Sequence, residues 1–242
     1  ESNIELSFCK NADEVDVEKT DGIIAVGRFL SAELEKMKQL GIQVLFVDSN
    51  PDPHEFNSIQ PNLQMMVETA IEYFVQAGYQ KIGFIGGRSW DSTEGRHVLR
   101  DTRTRCFESR ARELGLFNQN YVFIGDNFSV DSGYQVGREI VGKIRDDLPQ
   151  GFLVASDPLA VGVLQAFNEN KLTVPEDVSM ISINDIDIAK YVSPPLTTFR
   201  IDTEELGKVA IETLRNLIVS PKKFRRMILL DADLVFRKSF VI

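Results

Sequence analysis

Histidine and cysteine are nearly absent: the 242-residue chain holds two of each, His54 and His97, Cys9 and Cys106. Two histidines leave almost no material for an imidazole zinc site or a histidine-based acid–base system, and both read as solvated loop residues. Two cysteines without a CxxC spacing make neither a disulfide framework nor a zinc or redox motif, which fits a reducing cytoplasm. No apolar run approaches the ~18 residues of a membrane span, and the N-terminus lacks the basic-then-apolar layout of a signal peptide. Positive charge is also short, with 27 Lys and Arg against 36 Asp and Glu and a formal net charge of -9. Such a balance repels a phosphate backbone, because nucleic-acid binding relies on basic side chains displacing counterions.

The glycine patterns of nucleotide sites are missing as well. Gly83, Gly86 and Gly87 do not have the GxGxxG spacing that brings backbone amides to a pyrophosphate, and no Gly-Lys-Ser/Thr follows a strand. Ser89 lies near Gly87 without a Gly-x-Ser-x-Gly frame or a credible base. No catalytic residue, metal or cofactor is expected, and the chain does not read as an enzyme.

What the chain does have is ordinary globular composition, 43% hydrophobic and 26% charged, arranged in a rhythm. A short apolar run ends in Gly or Asp, an amphipathic segment of roughly ten to fifteen residues follows, and another apolar run begins, as in βα units. The runs read as strands are 4–8, 22–26, 43–47, 81–85, 121–124, 151–155, 178–183 and 197–201. Several are nearly unbroken hydrophobic stretches, which suits a parallel sheet covered on both faces. Leu63, Met66, Val67, Ala70, Ile71 and Phe74 recur at helical spacing between the capping residue Asn62 and Gly78. Further helices are expected over 31–40 with Ser31 as its capping residue, over 101–114, over 131–144 and around Leu206, Val209, Ala210, Leu214 and Leu217. Two apolar runs near the end, 227–232 and 234–238, have no helix between them and read as a bent or sheet-switching strand. Crossovers between two sheets are placed near Pro61, Ile201 and Asp231.

Polar residues gather at the C-terminal ends of the predicted strands, where open α/β sheets place their ligand crevices. Arg28, Asp48, Trp90, Asp126, Phe128, Ser156, Asp157, Asn184 and Asp185 all fall there. Each alone has a plainer reading: Asp and Asn close turns and cap helices, Ser156 or Asp157 before Pro158 marks a helix start, and a lone Phe is usually core. Jointly they supply amides, carboxylates, guanidinium groups and an aromatic face, the parts that bind sugars.

Residues 174–202, VPEDVSMISINDIDIAKYVSPPLTTFRID, closely resemble the effector-domain signature of the LacI/GalR family of repressors. DGIIAVG from Asp21, IQVLFVD from Ile42, AIEYFVQAGYQKIGFIGG from Ala70, an Arg-x-x-x-Phe element at Arg103 and Phe107, and FLVASDPLAVGVLQAF from Phe152 follow the same family order. The resemblance implies an α/β fold of the periplasmic-binding-protein-like type, two similar Rossmann-like parallel-sheet subdomains joined by three crossovers. It implies an N-terminal subdomain of 1–60 plus 202–230 and a C-terminal one of 61–201 plus 231–242. It also implies a small effector held between them, a homodimer in the cytoplasm with no membrane contact, and operator DNA reached through a helix-turn-helix domain not contained in this chain. The family's first strand and helix are expected to be missing too. By position, Arg103 corresponds to the arginine that forks onto ligand hydroxyls or a carboxylate, and Phe128 to the aromatic stacked on the ligand ring. Asp48, Ser156, Asp157, Asn184 and Asp185 fall at or beside further ligand positions, while Arg28 and Trp90 are added from strand-end placement alone. Asn184 stands where the family usually carries an acid. The Asp101-Thr102-Arg103 element resembles galactoside-responsive members, so galactose or a galactoside is the expected effector. A sugar-binding protein of a transport system is the rival reading.

Overall fold

The computed structural model describes residues 4–91, 96–98, 101–221 and 224–241, with backbone alone for 89–91 and 96–98. Along the chain run β1 (Gly22–Val26), α1 (Ser31–Gln39), β2 (Gln43–Val47), β3 (Asn57–Pro61), α2 (Leu63–Gln76), β4 (Ile82–Gly87), β5 (Ser89–Asp91) and β6 (Arg96–Val98). They are followed by α3 (Thr102–Glu113), β7 (Val122–Gly125), α4 (Val130–Ile144), β8 (Gly151–Val154), α5 (Asp157–Glu169), β9 (Ser179–Asn184), β10 (Thr197–Arg200), α6 (Thr203–Val219), β11 (Met227–Leu230) and β12 (Asp233–Val235). The chain divides into two compact units. One comprises Glu1–Pro61, Trp90–Arg96 and Thr203–Leu230, the other Asn62–Ser89, His97–Asp202 and Asp231–Ile242.

The first unit carries a four-stranded sheet in the order β1-β2-β3-β11, parallel throughout. Its core gathers Ala25, Leu34, Met37, Val44, Phe46 and Phe56, with Phe29 and Phe56 both edge-on to Phe46. The second unit has a six-stranded sheet, β12-β10-β9-β8-β4-β7, in which only β12 runs antiparallel to its neighbour. Strands β4 and β8 are buried at every position, as expected of strands covered on both faces. Phe74, Phe84, Phe107, Phe152, Phe167, Phe199 and Phe240 are its largest buried rings.

Local chemistry sets the helix ends. The Asn62 side chain accepts from the Met65 N–H at 3.3 Å to start α2, and Asp101 and Ser129 do the same for α3 and α4. Pro158 sits in the first turn of α5, where its missing N–H costs nothing. Helix α1 departs from expectation: Leu30, not Ser31, is the N-cap, and its N–H donates to the Glu33 carboxylate at 2.7 Å.

Two strand expectations need correction. Residues 4–8 form no strand, and Ile4, Leu6 and Phe8 are 54%, 66% and 102% exposed; their alternation finds no sheet partner. Strand β3 was not foreseen, because only Ile59 and Pro61 in it are apolar. Asn57 and Ser58 are nonetheless buried, their polar atoms taken by the Arg226 N–H and the Asn50 amide. The closing runs do separate into two sheets, β11 pairing with β3 and β12 with β10.

Candidate functional site

In the second unit β4, β7, β8 and β9 run parallel, so their C-terminal ends share one edge and the residues that follow them form a rim. Arg103, in the first turn of α3, is the most constrained group there. Its Nε and Nη2 donate to Asp101 Oδ2 at 2.9 and 2.5 Å, its Nη1 donates to the Ala155 carbonyl at 2.7 Å, and its guanidinium carbon lies 4.5 Å from the centre of the Phe128 ring. The side chain is 13% exposed. A guanidinium carries five N–H donors; three are engaged among the described residues, which leaves two for an acceptor brought from outside. Asp101 also caps α3 through its other oxygen, accepting from the Thr104 N–H at 3.2 Å. One carboxylate thus starts the helix and fixes the arginine on it.

The Ala155 carbonyl that holds Arg103 precedes Ser156, the N-cap of α5, whose buried hydroxyl has no partner among the described residues. Asn184 ends β9 at φ 120°. It is half-buried, and its side-chain amide makes no hydrogen bond among the described residues. Arg88 and Asp126, following β4 and β7, pair at 3.1 Å.

Asp157 and Asp185, expected at or beside ligand positions, have side chains engaged inside the fold. Asp157 is 0% exposed, and its carboxylate accepts from the Ser182 hydroxyl at 2.5 Å, the Thr198 hydroxyl at 2.7 Å and the Ile186 N–H at 2.9 Å. Burial pushes its carboxyl above the usual range, and those three hydrogen bonds offset part of the rise. Asp185 has 1% of its side chain exposed and gives one oxygen to Arg200 Nε at 2.7 Å and the other to Arg237 Nη2 at 2.6 Å. Burial alone would raise its carboxyl, yet the two guanidinium groups hold it below the ordinary carboxylate range. Neither group faces solvent with a free oxygen.

The other three expected residues belong to the first unit or have side chains outside the described residues. Arg28 and Asp48 follow β1 and β2 in the first unit and are exposed, Asp48 at φ 63°. Trp90 lies in β5, and its side chain is outside the described residues. Sequence reasoning missed Asp101 as the partner of Arg103, and Arg200 and Arg237 as the partners of Asp185. Arg237 is 52 residues from Asp185, so no local pattern joins them.

The rim offers hydrogen-bond donors, an amide, a hydroxyl and a ring. Among the described residues no group of His, Cys, Asp and Glu could hold a metal ion, and no helix is long and apolar enough to cross a membrane.

Residues 71–240 match the family of periplasmic binding protein-like domains. The HTH-type transcriptional regulator GanR of Bacillus subtilis is 38% identical over 239 residues, covering 98% of this chain and 72% of that protein. The chain belongs to the LacI/GalR family. A second LacI/GalR relative, the HTH-type transcriptional regulator LacR of Lactobacillus helveticus, is 41% identical over 223 residues, which are 91% of this chain. The match spans 65% of LacR, just under two thirds of its length. Among solved structures, a LacI family transcriptional regulator from Enterococcus faecium with bound ribose superposes with a TM-score of 0.72 at 22% identity, over 92% of this chain and 80% of that one. That likeness establishes a shared fold. The named LacI/GalR relatives are transcriptional regulators.

Proposed function

We propose that this chain is the effector-sensing and dimerising domain of a cytoplasmic LacI/GalR-type repressor. A small sugar, galactose or a galactoside, binds at the rim of Arg103, Phe128, Ser156 and Asn184 and changes operator binding by a helix-turn-helix domain outside this chain. The observation that carries the reading is the Arg103 guanidinium, stacked on Phe128 and held by Asp101 and Ala155. A forked donor held in place loses little freedom when it meets a pair of hydroxyls. The sugar class is supported by the ribose bound to the Enterococcus faecium structure, and the galactoside choice by the names of relatives, LacR and the GalR of Lacticaseibacillus casei. A sugar acts on such a regulator only through different affinities for its two states. A transport-type binding protein would use the same fold, but the named relatives favour the regulator.

Calorimetric titration with galactose, lactose, melibiose and raffinose tests the proposal. At least one binds, and Arg103→Ala weakens it on the order of ten- to a hundredfold, the worth of a lost charged hydrogen bond. No heat from any of the four at millimolar concentration would remove the galactoside assignment.

A further inference from the structure

The turn that leaves β9 passes through two consecutive non-glycine residues at positive φ, Asn184 at 120° and Asp185 at 55°. Side chains with a Cβ rarely adopt such angles, and φ near 120° lies outside even the left-handed helical well. A conformation of this kind persists where its surroundings over-determine it, and here the surroundings can be named. Asp157, from the first turn of α5, accepts from the Ser182 hydroxyl before the turn and from the Ile186 N–H just after it. It also accepts from the Thr198 hydroxyl on β10, whose oxygen in turn accepts from the Asp185 N–H at 3.3 Å inside the turn. One carboxylate thereby grips both flanks of the turn directly and its middle through a hydroxyl. What the turn leaves over is the Asn184 amide, which has no hydrogen-bond partner among the described residues.

We propose that Asp157 is a positioning residue for effector recognition: it ties the start of α5, with Ser156, to the strained turn that aims the Asn184 amide, and never touches the effector itself. The inference rests on the effector rim proposed above. The carboxylate accepts from all three partners, of which the two hydroxyls can reverse direction and the Ile186 N–H cannot. In Asp157→Asn one of the two terminal atoms becomes a donor. Facing Ile186 it meets another N–H and that tie is lost; facing Ser182 and Thr198 it reverses both hydrogen bonds and leaves the Thr198 hydroxyl accepting twice, so the grip on the turn changes in either orientation.

The decisive measurement is a double-mutant cycle between Asp157→Asn and Asn184→Ala, read by galactose and lactose affinity. If Asp157 acts through Asn184, Asn184→Ala weakens binding about tenfold in the parent chain and hardly at all in Asp157→Asn, because the amide is already misplaced. Equal losses in both backgrounds overturn the proposal and leave Asp157 a core group only. A chain that binds neither sugar would defeat the galactoside reading instead. The Asn184 side-chain NH2 resonances of the ligand-free protein then decide the positioning role: a shift in Asp157→Asn upholds it, and unchanged resonances overturn it. Should Asp157→Asn fail to fold, Thr198→Val removes the tie to the Asp185 N–H and is read by the same cycle and spectra.

Discussion

Asp185 shows how a single carboxylate is fixed by charges that arrive from distant parts of the chain. Its side chain is almost wholly buried between Arg200, half exposed, and Arg237, 14% exposed. Its folded pKa lies below the ordinary value, so the fold prefers the ionised form. That preference stabilises fully above the ordinary carboxylate pKa and disappears as pH falls through the depressed one. Asp185→Asn should therefore cost about 2–4 kcal/mol at pH 7, toward the lower end for a broken buried pair because Arg200 remains hydrated. In urea unfolding the gap between parent and variant should narrow as pH drops below the carboxylate range; a gap constant from neutral to acid pH would refute the pairing. The sequence could not separate such residues. Ser156 and Asp157, like Asn184 and Asp185, are adjacent and equally placed at a strand end. What distinguishes a buried strut from a free amide is partners 25, 41 and 52 residues away. Arg103 was legible from the family resemblance alone, and Phe128 from that resemblance together with its place after a strand end; the Asp101 and Ala155 contacts that fix the arginine appear only in the structure.

Helices α4 and α5 approach so closely that glycine is required at their crossing. A Cβ on Gly133 would lie 2.1 Å from the Leu159 carbonyl oxygen, and one on Gly162 2.0 Å from the Val130 carbonyl oxygen. Those contacts are to backbone, so relief means moving a helix. Gly162→Ala should destabilise the chain by about 1–3 kcal/mol, the usual cost of overpacking. Gly142, exposed on α4 with nothing within 4 Å of its would-be Cβ, makes the contrast. Gly142→Ala should stabilise by about 0.5–1 kcal/mol through helix propensity alone. Thermal unfolding of the two variants checks the pair, and shifts of the same sign would contradict the packing argument. Pattern reading succeeded for elements buried on both faces, such as β4 and β8, and for helices with capping residues at their starts. It failed at residues 4–8, an apolar run that finds no sheet partner, and at β3, where Asn57 and Ser58 are buried because partners outside the strand satisfy them.

At the scale of the whole chain, the βα rhythm was enough to give a parallel α/β fold, because apolar runs that long need cover on both faces. Assigning strands to sheets needed more. Strands β11 and β12 are two residues apart yet belong to different sheets, and only their pairing with β3 and β10 decides it. Charge is the other property of the whole chain, and at -9 it opposes any general attraction to a polyanion. Nonspecific duplex binding rests on counterion release by Lys and Arg, with dissociation constants on the order of 10⁻⁴ to 10⁻⁶ M in proteins built for it. Several arginines here are also committed internally, Arg103 to Asp101 and Arg237 to Asp185, so the basic side chains free to meet phosphate are fewer than the composition suggests. Fluorescence anisotropy of a labelled duplex at about 50 mM salt should stay flat as the chain is added to about 10 μM, with or without galactose. A salt-sensitive rise would reveal a basic surface that the net charge conceals, and would break the proposed division of labour in which this domain senses the sugar and a separate domain meets the DNA.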